Sequence, residues 1–576
     1  MASETSKQYI KGLLAEAFAK LGFDAKVASL DIVEPGAEFG DFATNAALVV
    51  AKKLKLNPQE LAAQMAAEVK NLDTAGTFAE VYDTKGFINF RLSQKALLEN
   101  LNRVLVTKDD FGKPEVAADK TIIVEYFQNN VAKPPHVGHL RSAVIGDSLL
   151  RTLRFLGYRA ISDTHIGDWG TQFGILLLGF KMLGDRKQVE KDPINELNKL
   201  YVEMNSRIEK DPALYEQAKA EFAKLEKGDA ENRKLWQWFV MESMTDFERY
   251  RELLGLLNFD HNLGESFYED KMPSVLEALR AKGLIATGET GEQYVDLEKY
   301  NLGRCIVIKS DGATTYATRD LATYIFRKGK FDFYRNIYVV DNRQSHHFKQ
   351  VFKVLELMGY PTAEDSIHVD FGFMSLPEGA ISTRKGTVIS LQNLIDEAQK
   401  RALDIIKEKN PDLGNKEAVA KIVALAAIKY FDLSHNRKTE IVFKWDKALS
   451  FEGNTGPYLQ YTHARIHGIL RKVVGNREKV VDNFSLSLIP YELNVLRKLY
   501  QFPNVLQQVA MDYLPNLLCN YLFELSQTFN AFYESTPVLQ EKDEQLRSFR
   551  LSLITATAQV IKNGLYLLGI EAPEEM

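Results

Sequence analysis

The spacing of apolar residues changes period between positions 121 and 153. The run TIIVEYF at 121–127 is β-rich and mostly apolar, which predicts a strand. From Leu140 onward apolar residues fall at Val144, Ile145, Leu149 and Leu153, the repeat of a helix. Polar and proline residues at 129–135 separate the two and predict a loop. A second strand is expected at 158–162, so strand, loop, helix and strand form a βαβ unit, the opening of a doubly wound nucleotide-binding sheet.

The same pattern divides the rest of the chain. Residues 1–118 read as a small mixed domain, with helices near 7–21 and 45–54 and a strand at 86–92. The polar stretch KDDFGKPEVAADK at 108–120 makes a linker. Charged amphipathic helices from about 184 to 255 interrupt the sheet as an insertion, and strands resume near 293–295, 305–309, 336–340 and 368–371. From about 390 to 576 the pattern is almost wholly helical, with Leu517, Leu518, Tyr521, Leu522, Leu525, Phe529 and Phe532 on one apolar face. The expected organisation is a multidomain α/β protein. A small N-terminal α/β domain occupies 1–118, a Rossmann-type domain with a helical insertion 119–389, and a helical bundle 390–576.

Composition narrows the function classes. At 576 residues and 45% hydrophobic content the chain can bury several cores. No run approaches the roughly 20 apolar residues of a membrane span, and the start MASETSKQYIKGLL lacks the basic and apolar blocks of a secretory signal, so a soluble cytoplasmic protein is expected. Cys305 and Cys519 stand far apart and outside any zinc spacing, which predicts two core thiols, no disulfide and no zinc. The net charge of −5 argues against bulk electrostatic capture of nucleic acid, but residues 304–353 hold ten Lys/Arg against four Asp, a candidate local basic face.

The candidate chemistry sits at the strand-to-helix junction. His136-Val137-Gly138-His139 sets two imidazoles three residues apart where a helix begins. A helix start offers unpaired N–H groups and a positive dipole end, which attract phosphate. Imidazoles can donate to phosphate oxygens as charge redistributes, and Gly138 allows a nucleotide close to the backbone. Lys133, three residues earlier in the loop, adds a compact cation. Tyr316 and Asp320 lie one turn apart on one helical face, a pair suited to a side chain with planar donors. A lone HxGH is also compatible with surface histidines at an ordinary helix start.

Wider context supplies a resemblance. Residues 130–142 (NVAKPPHVGHLRS) are similar to the signature of the arginyl-tRNA synthetases, a class I aminoacyl-tRNA synthetase family. Segments in the family's order follow: GDFATN at 40–45, GDWGTQFG at 167–174, GESF at 264–267, YATRD at 316–320, QSHHFKQVF at 344–352, STRKG at 382–386 and SFEGNTGPYLQY at 450–461. The resemblance implies ligation of L-arginine to its tRNA with ATP, through an arginyl-adenylate. It implies that His136, Gly138, His139 and Lys133 meet ATP, joined by His165 and by Ser382, Thr383, Arg384 and Lys385 of a KMSKS-like loop. It puts the amino acid on Asn130, Glu265, Tyr316, Asp320 and Gln344. Five fixed guanidinium donors fit carboxylates in bidentate fashion, which suits that assignment.

Two departures stand out. Ala380 replaces the first lysine of the KMSKS-like loop, with Lys133 as its expected substitute, and Gln128-Asn129 stands where the family usually has Ser-Pro. The resemblance further implies an N-terminal module on the outer corner of the tRNA, with Asn45 a candidate contact, and an anticodon-binding helical bundle. In that bundle Tyr458, Tyr461, Phe529 and Tyr533 are candidates to stack on bases. Mg²⁺ is expected to travel with ATP, activation to need bound tRNA, and the chain to act as a monomer without a membrane. Two rival readings use the same motifs. Another HxGH enzyme shares the ATP site but not the Glu265, Tyr316 and Asp320 constellation; a non-catalytic tRNA-binding relative is favoured by Ala380 alone.

Overall fold

A computed structural model describes residues 6–23, 31–115, 119–375, 390–473, 481 and 486–576. The chain forms two compact units. One holds residues 118–449 with 568–570, the other residues 1–117, 450–567 and 571–576.

The first unit is built on a four-stranded parallel sheet in the order Ser366–His368, Arg335–Tyr338, Thr121–Glu125, Arg159–Asp163. The chain runs from Thr121–Glu125 to one neighbour through the helix Val137–Phe155 and reaches the other neighbour only much later. The crevice at the carboxyl end of Thr121–Glu125 is thus a topological switch point, where such sheets bind ligands. A buried cation fixes this edge. Arg327, its side chain almost fully buried, pairs with Glu125 at 2.6 Å and Asp163 at 2.8 Å, the last residues of two adjacent strands. Losing that cation leaves two buried carboxylates uncompensated.

The stretch of about 184–255 expected as an insertion holds four helices, Arg186–Lys191 to Ala230–Leu253, which with Thr171–Leu183 before them close over a core that includes Trp169, Phe173, Leu177 and Phe239. The stretches near 293 and 305, expected to resume the nucleotide sheet, form a separate antiparallel sheet instead, in the order Ile285–Thr287, Gln293–Asp296, Arg304–Ile308. The short connection through Asn301 and Gly303, both at positive φ, turns the chain straight back. A parallel neighbour needs a crossover of a dozen or more residues.

The helices Leu391–Lys409 and Lys416–Leu433 stay in this unit. Arg141 of the helix Val137–Phe155 reaches Asp432 at 3.0 Å, fully buried. Residues 568–570 also lie here. Lys429 Nζ donates to the carbonyl of Gly569 at 2.5 Å, and burial pulls its ammonium down to about 8 despite Asp147 nearby. Cys305 and Cys519 are both buried free thiols.

The second unit joins the chain's beginning to its later helices. A four-stranded antiparallel sheet runs in the order Ile32–Val33, Phe42–Thr44, Phe87–Leu92, Phe78–Thr84. Gly40, at φ 104°, has no room for a side chain, since a Cβ there would lie 2.6 Å from the carbonyl of Phe90. Asp41 accepts from the Leu92 N–H at 2.7 Å and meets Arg497 at 3.0 Å. The GDFATN segment therefore has structural work of its own. Phe111 stacks on Phe502 of the helix Pro490–Asp512. That helix packs with Gly456–Arg471, Asn516–Ser535 and Glu544–Leu567 into the expected bundle.

Candidate active site

His136 precedes the helix Val137–Phe155, and the two histidines cap it reciprocally. His136 Nδ1 accepts from the Gly138 N–H at 3.0 Å, and His139 Nδ1 accepts from the His136 N–H at 3.1 Å. The rings stack with centroids 4.0 Å apart. Acceptance at Nδ1 assigns the ring proton of each neutral imidazole to Nε2, which leaves two N–H donors for a ligand. Burial lowers both histidines below their ordinary range, His139 strongly, with Arg343 and Lys133 adding to the effect on His136. The pair therefore works as neutral donors at pH 7. A Cβ on Gly138 would lie 2.8 Å from His136 Cε1, so the glycine first makes room for the imidazole of its own motif.

The loop before the helix is pinned by the insertion. Ala132 N–H donates to Ser243 Oγ at 3.0 Å, and Lys133 Nζ sits 4.7 Å above the Tyr201 ring. Burial lowers the Lys133 ammonium. The loops after two strands are zipped together through Val131 N–H to the Gly167 carbonyl and Gly167 N–H to the Asn129 carbonyl. A Cβ on Gly167 would strike Asn130 Oδ1, so Asn130 lies against the GDWG turn. Gln128 donates to Glu125 and accepts from Ser142, contacts internal to the unit.

A second cluster forms around Asp320. His347 Nε2 donates to Asp320 Oδ2 at 2.5 Å, and His165 Nε2 stands 3.9 Å from Oδ1. The Tyr316 ring meets His347 edge-on at 4.7 Å and is 62% exposed, so the phenol caps the cluster from outside. Burial alone would raise the Asp320 carboxyl, but the His347 hydrogen bond, with His165 and Arg319 nearby, outweighs it and holds the group below the usual range. Glu265 is raised by burial and pulled back by Arg319, whose guanidinium it meets at 3.0 Å. Asp168 of the GDWG turn accepts from both the Ser266 N–H and its hydroxyl, at 2.8 and 2.6 Å, which fixes the GESF segment beside it.

The structure brings Glu265, Tyr316, Asp320 and His165 together, and His136, Gly138, His139 and Lys133 together. His165, expected against ATP, is found beside Asp320 and Tyr268. Gln344 is exposed in the turn Asn342–Gln344, next to Arg343, which Asp341 holds through two contacts at 2.8 and 2.9 Å. Ala380, Ser382, Thr383, Arg384 and Lys385 lie outside the described residues. Ser390, which follows that stretch, pairs with His136, and Leu391 N–H donates to the Pro135 carbonyl at 3.0 Å. Sequence reasoning missed His347, Arg319 and Glu269. His347 sits in the quoted QSHHF segment, and Arg319 adjoins Asp320.

Among the tRNA candidates, Asn45 is half-buried before the helix Ala46–Leu54. Tyr461 is 47% exposed. Tyr458 accepts from Asn530 at 2.8 Å and meets Phe523 edge-on. Phe529 is not available to a base, because it is fully buried with Tyr533 stacked on it. Its place on the apolar face of its helix put it in the core.

Comparison with known proteins decides the family. Residues 8–92 match the arginyl tRNA synthetase N terminal domain, 100–445 the catalytic domain of tRNA synthetases class I (R), and 459–576 the DALR anticodon binding domain. The chain is 41% identical to an arginine–tRNA ligase of Alkaliphilus metalliredigens over 99% of both chains. The chain belongs to the arginyl-tRNA synthetases. Another arginine–tRNA ligase, from Lactococcus lactis subsp. lactis, is 40% identical over 99% of this chain and all of its own. The solved arginyl-tRNA synthetase of Thermus thermophilus superposes with a TM-score of 0.83 at 26% identity, covering 99% of this chain and 100% of the other. That of Plasmodium falciparum gives 0.83 at 25% identity over the whole of both. As a class I synthetase the chain uses ATP as a substrate.

Proposed function

We propose that Glu265, Tyr316 and Asp320 receive the guanidinium of L-arginine while the HVGH turn and Lys133 receive ATP. The activity itself, joining arginine to tRNA at the expense of ATP, follows from membership of the arginyl-tRNA synthetases. One observation carries the assignment of the site: two carboxylates, Glu265 and Asp320, lie in each other's field beside the exposed Tyr316 ring, a few residues from loops tied to the HVGH junction. Asn130, against the GDWG turn, is suited to the amino-acid backbone, and Gln344 joins from its exposed turn.

The chemistry needs no side-chain nucleophile. The arginine carboxylate attacks the α-phosphorus in line, pyrophosphate leaves, and a hydroxyl of the terminal ribose of the tRNA takes the arginyl group from the adenylate and releases AMP. The Nε2 protons of His136 and His139 donate to phosphate oxygens as charge builds, and Lys133 with the hydroxyls and cations of Ser382, Thr383, Arg384 and Lys385 neutralises it. Holding carboxylate and phosphorus near contact distance supplies much of the acceleration. Mg²⁺ enters on the nucleotide as part of the substrate. No helix of the described residues is long and apolar enough to cross a membrane. The tRNA is read by the N-terminal module through the surface that includes Asn45 and by the helical bundle through exposed rings such as Tyr461, with Tyr458 beside it; the chain acts as a monomer.

Charging of total tRNA with each amino acid in turn, beside an Asp320→Ala variant, tests the site. The wild type accepts arginine and the variant loses arginine charging by 10³-fold or more, because a buried guanidinium loses its partner. Undiminished charging in the variant removes Asp320 from the pocket.

A further inference from the structure

Both carboxylates of the arginine pocket have one oxygen already engaged by the protein. Arg319 donates from Nη1 to Glu265 Oε2 and from Nη2 to Glu269 Oε1, each at 3.0 Å. His347 takes Asp320 Oδ2. No donor among the described residues meets Glu265 Oε1, and His165 stands beyond hydrogen-bond reach of Asp320 Oδ1. Each acidic group therefore keeps one oxygen in reserve.

We propose that Arg319 is a positioning residue for amino-acid selection, a fixed internal guanidinium that takes one oxygen of Glu265 and leaves the other aimed at the guanidinium of the substrate. The inference rests on reading Glu265 and Asp320 as the arginine site. Arg319 is 9% exposed and lies in the first turn of the helix Tyr316–Phe331, so its guanidinium is held at the tip by the two carboxylates and along its length by burial. A planar fork can bridge two carboxylates four residues apart, and a lysine ammonium cannot reproduce that geometry. Without the bridge, the Glu265 carboxylate is free to swing away from the substrate guanidinium, which removes the fixed acceptor.

Arg319 also sets the charge of the site. Glu265 faces Arg319 and Asp320 from one helix, His165 and Asp168 from the loop after Arg159–Asp163, and Glu269 from its own turn. Glu226 of the helix Ala213–Glu226 faces Glu269 in turn. Burial, Asp320 and Asp168 all push the Glu265 carboxyl up, while Arg319 and His165 pull it down. Removing Arg319 lets Glu265 take up a proton as pH falls, and a protonated carboxyl no longer attracts a guanidinium.

The test measures KM for arginine and for ATP separately in tRNA charging between pH 6 and 8. Arg319→Gln raises KM for arginine about 10- to 100-fold, with KM for ATP changed less than about twofold. The rise is larger at pH 6 than at pH 8. Arg319→Lys restores the flat pH dependence of the wild type but not its KM at pH 8. An unchanged arginine KM, or equal rises in both KM values, overturns the proposal. If Arg319→Gln does not fold, Glu269→Gln loosens the same fork from a side chain 26% exposed, and there too the arginine KM must rise alone. Asp320→Asn separates the two ways to fail. If it leaves the arginine KM unaltered, the reading of the pocket falls and Arg319 with it; if it raises that KM while Arg319→Gln does not, only the positioning role falls.

Discussion

Gly138 shows how tightly a single residue is bound to the chemistry. Its missing Cβ makes room for the His136 ring, whose Nδ1 accepts from the glycine's own N–H. Gly138→Ala pushes the imidazole off that bond and turns its Nε2 proton away from the proposed ATP site. The expected outcome is a loss of about 10²-fold in kcat/KM for ATP, read by pyrophosphate exchange in the presence of tRNA, with KM for arginine unmoved. An unaltered ATP constant means that His136 keeps its place without the glycine. At this scale the sequence showed which residue types mattered and not what held them. The HxGH spacing marked both histidines, but their reciprocal capping requires the fold. Glu265 and Asp320 are 55 positions apart, and that Arg319, the sequence neighbour of Asp320, also holds Glu265 is visible only once the turn Glu265–Lys271 lies against the helix Tyr316–Phe331.

Helices differ in how openly they announce themselves. Val137–Phe155 and Asn516–Ser535 carry long apolar repeats and were legible from spacing alone. Pro58–Leu72 is absent from the elements read from spacing, although Asn57 and Pro58 form a cap and first-turn signal and Leu61, Met65 and Val69 recur every four residues on its buried face. Strands of three to five residues carry too few positions to tell a parallel partner from an antiparallel one, which is why 293–296 and 304–308 went to the wrong sheet. The helix Gly456–Arg471 carries a testable titration. His463 Nδ1 donates to the Pro573 carbonyl, and burial holds its imidazole at about 4 against an ordinary 6.5. The folded group binds its proton less readily than the unfolded one, so its stabilisation is complete above pH 6.5 and is lost as pH falls towards 4, at most about 3 kcal/mol. Thermal midpoints at pH 7 and pH 5 should differ less in His463→Gln than in the wild type; equal differences would show that another group governs the acid limb.

For the whole molecule, the striding order of three regions along the sequence becomes two units in space, because residues 1–117 share a unit with 450–567. Apolar periodicity reports what one element buries and not which distant element buries it, so Phe111 against Phe502 had no local sign. Activation belongs to this scale as well. As in the minority of synthetases that need bound tRNA first, pyrophosphate exchange with arginine and ATP should be near background without tRNA and rise by 10²-fold or more with it. Equal rates would detach activation from tRNA. The placement of residues 568–570 beside Lys429 has a further consequence during synthesis on the ribosome. Residue 449 is made about 120 residues before the carbonyl that Lys429 needs, a delay of roughly 6–24 s at ordinary elongation rates. Throughout that interval Lys429 is without its final acceptor, and until residue 569 arrives the ammonium has only Asp147 to offset its burial.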